Sequence, residues 1–435
     1  MRILLLSWFF PPNNTVAALR VGKLARYLHQ RGHDVRVVTS HKPSGDRSLR
    51  VEIPQERIFE TNWFNIDEKF RRLSAPWRRR RGDAANPSPA PATPAVTHGG
   101  VTIRRRLATL YGHVVHFPDR YVGWTPYLVR GGEKALTDWR PDLIYASAPP
   151  HSVFLAANIL KRRHGIPLIA EFRDRWMDDP YDAPPPWRRW LETRLENRLI
   201  GAADAIVTVS RPWADAYVEK YGKPTALVYN GFDPEDFAEP AEPVPPRPGP
   251  VRILHMGTIY HGKRDPTPLF HALAASGLST EDVQVDFVGH QIGGMGALAE
   301  RCGVGQFVEL NAPVPYQQSI ERQRQSDILL LLQWNDPREL GNLPAKLFEY
   351  FAVRRPILGI GLENGVPAAL IRERQAGLFC NDPDKIATQL RLWVREKQRN
   401  GQVAALPAAV RAGFSRDEQY AKLERFLSDQ LAASD

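Results

Sequence analysis

Short, unbroken apolar runs recur along this chain, each followed by a helix-length segment whose apolar residues fall on one face. "RILLLS", "DLIYAS", "IPLIAEF", "AIVTVS", "VRILHMG", "DILLLLQ" and "PILGI" carry almost no polar alternation. A strand that is apolar on both faces must be covered on both faces, which is the condition of a central strand in a parallel sheet. The segment after the first run places Val16, Leu19, Leu24 and Leu28 near helical spacing and stops at Gly32. Strand and crossover helix in alternation predict an α/β chain with parallel sheets. With 435 residues, two cores are expected rather than one.

The break between them reads from proline. "DPEDFAEPAEPVPPRPGP" interrupts the alternation, which restarts at "VRILHMG" and runs through "VQVDFVG", "FVEL", "DILLLLQ", "PILGI" and "GLFC". The expected organisation is therefore an N-terminal Rossmann-like domain over residues 1–232, a linker over 233–250 and a C-terminal Rossmann-like domain over 251–410. A final helix over 411–435 is expected to pack back on the first domain. Doubly wound sheets take ligands at the carboxyl ends of their strands, so the loops after the first strand of each domain are the places to look.

Composition narrows the class. Hydrophobic residues make up 43% and charged residues 24%, as in globular domains. "MRILLLSWFF" runs directly into Pro11-Pro12 without a small-residue cleavage site and reads as a buried first strand, not a leader. No apolar run approaches the ~20 residues that span a bilayer. Cys302 and Cys380 form no framework, so a cytoplasmic setting is expected, with the chain peripheral on the inner face of the membrane. The net charge of +10 is concentrated in "FRRLSAPWRRRRG" (70–82) and "IRRRL" (103–107). These flank a Pro/Ala-rich stretch inside a basic insertion over 60–115, read as partly disordered. Arginines interleaved with Phe70, Leu73 and Trp77 suit an anionic bilayer surface, and a solvated charged loop is the competing reading. Without a recognised binding motif, nucleic acid is not an expected partner.

Metal chemistry finds no support. His33, His151, His255, His261 and His290 are scattered, and Asp178-Asp179 reads as solvated loop acidity. Walker-type and Gly-x-Gly-x-x-Gly loops are absent, which argues against ATPases and simple dinucleotide enzymes. Two loops hold more promise. Asn13-Asn14-Thr15 precedes the first helix, where capping and anion binding are both open. In "MGTIYHGKRDPTPL", Gly257 ends a strand and Lys263-Arg264 place two cations at the sheet's mouth, suited to a diphosphate. Further on, "NLPAKLFEYFAVRRP" reads as a helix opening at a proline, with Lys346 and Glu349 three residues apart. An ion pair on a solvated face and a ligand site at a helix N-terminus both fit that spacing.

These segments, in this order, resemble the GT-B glycosyltransferases, group 1 and family-4-like: "RGHDVRVVTS", "DLIYASAPPHS", "IPLIAEFRDRW", "VYNGFDPEDF", "HMGTIYHGKR", "VDFVGH", "SDILLLL" and "PAKLFEYFAVRRPIL". The resemblance covers nearly everything outside 60–115 and implies a transferase using a nucleotide-diphosphate sugar. It implies transfer to a lipid-linked or surface-polysaccharide acceptor, with retention, and needs no cofactor or metal. It makes Glu349 the partner of the donor ribose hydroxyls and Lys263 with Arg264 the neutralisers of the departing diphosphate. It lets Asn342 and Leu343 offer amides to the donor, adds Gly257, Asn13, Asn14 and Lys346 to the donor side, and makes Asp174 and His151 candidates for sugar or acceptor contacts. Two departures stand out. Gly341 occupies the position of the family's usual first glutamate, with Glu339 two residues earlier, and Arg173-Asp174 stands where many relatives have histidine. A nucleotide-sugar epimerase on the same fold, and a non-catalytic subunit that binds a nucleotide sugar or glycolipid, are the alternatives.

Overall fold

In the computed structural model, residues 1–41, 47–68, 111–177, 184–238 and 248–433 are described. The basic stretches 70–82 and 103–107 and the acidic pair Asp178-Asp179 lie outside them. The apolar runs fold as read: β1 (Arg2–Ser7), β2 (Asp34–Ser40), β4 (Leu143–Ala148), β5 (Leu168–Phe172), β6 (Ala205–Thr208) and β7 (Thr225–Leu227). With β3 (Ile58–Thr61) they form a sheet in the order β3-β2-β1-β4-β5-β6-β7. The chain order reverses between β1 and β4, which pair in parallel from Ile3 opposite Leu143 to Ser7 opposite Ser147. Helices α1 (Val16–Gln30), α2 (Thr125–Ala135), α3 (Val153–His164), α4 (Pro186–Gly201) and α5 (Arg211–Tyr221) connect the strands.

The second sheet holds β8 (Val251–Met256), β9 (Val283–Val288), β10 (Val308–Asn311), β11 (Ile328–Leu332), β12 (Ile357–Ile360) and β13 (Gly377–Phe379). Its order is β10-β9-β8-β11-β12-β13, and every neighbouring pair is parallel. The reversal falls between β8 and β11. Flanking helices are α6 (Thr267–Ser276), α7 (Gly293–Arg301), α8 (Tyr316–Gln325), α9 (Lys346–Val353), α10 (Val366–Glu373), α11 (Pro383–Asn400) and α12 (Arg416–Ala432). One apolar cluster lies on each face of this sheet: Ile253, Phe270, Phe287 and Trp393 on one side, Leu254, Leu347, Phe348 and Phe351 on the other. The two-sided burial explains why these strands are nearly continuous apolar runs.

The structure departs from the sequence-based expectation in three places. The insertion set at 60–115 overlaps β3, a strand integral to the first sheet; the weakly apolar "IFET" carries no strand signal, and Gly131-Gly132 obscures the helix α2 that packs beside it. Both glycines permit close packing, since a Cβ at Gly131 would lie 2.4 Å from Thr61 Cγ2. The expected linker at 233–250 also begins too early. Phe232 and Phe237 are buried in the second core, and the chain divides instead into unit 1 (Met1–Val207, Tyr217–Thr225, Ser428–Asp435) and unit 2 (Thr208–Ala216, Ala226–Leu427). Finally, α12 belongs to unit 2 as far as Leu427, near the bridge between Phe232 and Ser415, and only its end, from Ser428 on, belongs to unit 1.

Candidate active site

Strand β8 ends at Met256, and the chain turns at Gly257 with φ 119°, a conformation glycine alone adopts readily. A Cβ there would stand 2.8 Å from Lys346 Nζ, so the missing side chain leaves room for the lysine. Lys346 opens α9 and donates from Nζ to the Met256 carbonyl at 2.5 Å. The ion pair that its spacing with Glu349 allowed does not form; Glu349 Oε2 instead accepts from Gln323 Nε2 on α8 at 3.2 Å. Lys346 and Glu349 are thus pinned by different elements.

Electrostatics mark the spot. Burial, then the positive charge of Arg264, lowers the Lys346 pKa to about 7, opposed by Glu349. The Glu349 carboxyl is raised by burial, against the Gln323 hydrogen bond and the charges of Arg416 and Lys346. Both residues nevertheless remain partly accessible. A group surrounded by protein yet reachable by solvent is what a ligand site requires. Arg264 donates from Nη1 to Thr258 O at 2.7 Å and stacks over Tyr260 at 4.6 Å. Lys263 turns to a different partner: its Nζ lies 4.5 Å above the Trp334 ring, which Arg338 also contacts at 4.4 Å. Lys263 and Arg264 therefore turn to different partners, while Arg264 and Lys346 bond the carbonyls on either side of Gly257.

Asn342 corrects another expectation. Its backbone N–H is committed to Glu339 O at 2.8 Å, and its side-chain Nδ2 donates to Glu339 Oε2 at 2.7 Å, so this amide is not on offer to a donor. Leu343 is buried in the second core. The departure at Gly341 has a steric cause: a Cβ there would sit 2.1 Å from Trp213 Nε1. The indole of Trp213 fills the space that a glutamate at 341 would need, while Glu339 is buried with Oε1 unpartnered among the described residues.

In unit 1, Thr15 rather than either asparagine caps α1, its Oγ1 accepting from Ala18 N at 3.1 Å. Asn14 Nδ2 donates to Ser48 Oγ at 2.9 Å, and Asn13 N donates to Phe10 O at 3.3 Å. His151 stacks on Trp176 with ring centroids 4.9 Å apart. It hydrogen-bonds the Asp174 backbone, while Nε2 is buried without a partner among the described residues. Burial holds its pKa at about 3, so the ring is neutral. The N-terminus of α3, which His151 precedes, is capped instead by Asp119: Oδ2 accepts from Ser152 N at 2.6 Å and Oδ1 from Ser152 Oγ at 3.0 Å. Asp174 itself is exposed, although protein crowding one side of its carboxyl raises the pKa.

The sequence alone does not single out Gln323, Trp213 or Trp334, and it gives His255 no role. For His255 a signal exists, a lone polar residue inside "VRILHMG"; it is buried, with Nδ1 bonded to Leu330 O at 3.0 Å and Nε2 unpartnered among the described residues. The other three stand out only by contacts between elements distant in sequence.

Two sheets of parallel strands, each reversing order beside its first strand and flanked by helices, are the two Rossmann-like domains of the GT-B fold. Residues 17–231 match the Glycosyl transferase 4-like domain, which identifies that part of the chain as a family-4-like glycosyltransferase domain. Solved structures share the fold at low identity. Sucrose-phosphate synthase from Thermosynechococcus elongatus superposes with a TM-score of 0.61 at 14% identity, over 100% of both chains. HepE of Anabaena, solved with UDP, gives 0.59 at 14%, over 99% of this chain and 100% of its own. The lipopolysaccharide outer core galactosyltransferase WaaB gives 0.57 at 13%, with the same coverage. No curated protein matches the sequence. Among the described residues no helix is long and apolar enough to cross a membrane.

Proposed function

We propose that the chain moves a sugar from a nucleoside-diphosphate sugar to a hydroxyl of a lipid-linked or surface-polysaccharide acceptor, with retention at the anomeric carbon. The observation that carries the donor half is the pairing of Lys346 with Arg264 at the Gly257 turn. These are two cations, one of them pulled to a pKa of about 7, and among the described residues neither is bonded to a carboxylate. Like charges held together in a partly accessible place fit a site whose missing charge is the ligand's. A diphosphate supplies it and becomes the leaving group, so stabilising it lowers the barrier to departure. Glu349 accepts the two ribose hydroxyls, which a carboxylate does with both oxygens. Lys263 is near enough in sequence to leave the Trp334 ring for the phosphates. HepE, which shares the fold, was solved with UDP-glucose as well as UDP.

The acceptor hydroxyl approaches on the face that the diphosphate leaves, and the departing phosphate oxygen takes its proton. Asp174, exposed just past the end of β5, orients the acceptor. His151 serves by fixing the Asp174 backbone, since its free nitrogen is buried and its ring neutral. No cofactor is required for this chemistry. The basic segments at 70–82 and 103–107 hold the enzyme to an anionic inner-membrane surface, a reading that rests on sequence alone.

Calorimetric titration of UDP into Glu349→Ala tests the assignment. Losing a charge-assisted pair of hydrogen bonds weakens binding by about 1.5–3 kcal/mol, roughly tenfold or more, with the circular dichroism spectrum unchanged. Wild-type affinity in that variant would remove Glu349 from the site.

A further inference from the structure

Glu171 is the one charged residue inside the apolar run of β5, it is fully buried, and both its oxygens are hydrogen-bonded. Oε1 receives Arg20 Nε at 3.0 Å and Nη2 at 2.8 Å, and Oε2 receives the Ser147 hydroxyl. Arg20, from α1, is 2% exposed, and Arg173, just past β5, is 8% exposed. Two guanidiniums, both charged at any physiological pH, thus accompany one carboxylate.

Arg173 has no ion pair among the described residues. It donates from Nε to Ala148 O at 3.0 Å and from Nη2 to Pro149 O at 2.7 Å, and its guanidinium lies over Phe9 at 5.8 Å. Nη1 has no hydrogen-bond partner among the described residues. Asp174 follows it in sequence and its charge acts on Arg173, but the two form no ion pair among the described residues. Carbonyl dipoles and the nearby charges of Glu171 and Asp174 offset part of the cost of burying this cation, but neither carboxylate bonds the guanidinium, which leaves it open to an anion supplied from outside. The location agrees. Ser7, Ser147 and Glu171 lie side by side on β1, β4 and β5, at the reversal of strand order where doubly wound sheets receive ligands.

We propose that Arg173 anchors a phosphate-binding site in unit 1, distinct from the diphosphate cations of unit 2, and that it takes a phosphate group carried by the acceptor. The shared chemistry covers a soluble sugar phosphate and a phosphate linked to a lipid. The clamp on Ala148 and Pro149 fixes the guanidinium, and Nη1 supplies a charge-assisted hydrogen bond. Calling the ligand an acceptor rests on the transferase function proposed above; the anion site itself does not.

The test uses the full chain saturated with UDP, so that a second phosphate reports on a different place. Glucose 6-phosphate is titrated against glucose, and farnesyl phosphate against farnesol in detergent micelles. At least one phosphate is expected to bind saturably and about tenfold or more tighter than its uncharged counterpart. Arg173→Gln is expected to abolish that difference while leaving UDP affinity unchanged. Arg173→Lys, which keeps the charge but loses the planar fork, is expected to weaken the phosphate severalfold, and it decides the question if the glutamine variant does not fold. Response to the sugar phosphate alone assigns a soluble acceptor, and response to the farnesyl compound alone assigns a lipid-linked one. Equal binding of charged and uncharged probes, or wild-type phosphate affinity in both variants, overturns the site. Failure of the wild type to bind UDP would instead count against the donor assignment, and the phosphate contrast would then be read without nucleotide.

Discussion

A lysine with a pKa of about 7 makes donor binding depend on pH in a definite direction. In the unfolded chain Lys346 titrates near the ordinary lysine value of 10.5, so between about pH 7 and 10 the folded protein binds less of this proton than the unfolded one. Its contribution to stability therefore rises with pH across that window and is least below pH 7, where the lysine must carry charge beside Arg264. A diphosphate reverses the preference and restores the proton. UDP binding above pH 7 is accordingly expected to be accompanied by proton uptake, and its affinity to fall as pH climbs from about 7 to 9. Titrations in buffers of differing ionisation enthalpy measure the uptake directly, and Lys346→Met is expected to remove it. Uptake unchanged in that variant would assign the proton elsewhere. Gly341 shows the opposite kind of residue, one whose absence of a side chain matters: with Trp213 Nε1 2.1 Å from where a Cβ would be, the space for an acid is already taken.

Among the elements, α3 shows how a helix end is secured from a distance. No side chain of its own caps it; Asp119, 33 residues earlier, holds both the amide and the hydroxyl of Ser152, and also takes Tyr121 N at 2.8 Å. Asp119→Ala leaves these donors without a partner in a largely enclosed place. It is expected to cost about 1–3 kcal/mol, seen as a lower urea midpoint with an unchanged slope. A midpoint equal to wild type would mean that water replaces the carboxylate. The same helix start carries His151 and the carbonyl clamp for Arg173, so the variant is also expected to loosen amide exchange around Ser152 ahead of global unfolding.

At the scale of the whole molecule, the chain divides into two compact units, and unit 2 alone holds the proposed diphosphate cations. Differential scanning calorimetry is expected to resolve two transitions, with UDP raising the one that belongs to unit 2 by an amount that grows with concentration. A single transition moved as a whole would show that the units melt together. The alternation of strand and helix was legible because parallel strands buried on both faces need long apolar runs, and "RILLLS" or "DILLLL" fit little else. Strand β3, with only half-buried faces, and α2, with paired glycines, lacked that signature. Glu349 was legible through a motif. Its partner Gln323, by contrast, lies on another helix, and the exchange of Lys263 for Lys346 beside Arg264 depends on where β8 ends against α9. By itself, then, the sequence determined the layered architecture and the stretches that meet a ligand, since periodicity and loop position are local properties of the chain. Tertiary structure alone decided which charges meet, why Gly341 must stay bare beside Trp213, and that among the described residues carbonyls rather than a carboxylate bond Arg173. Those depend on distances between residues far apart in sequence, and on the low dielectric that their packing creates.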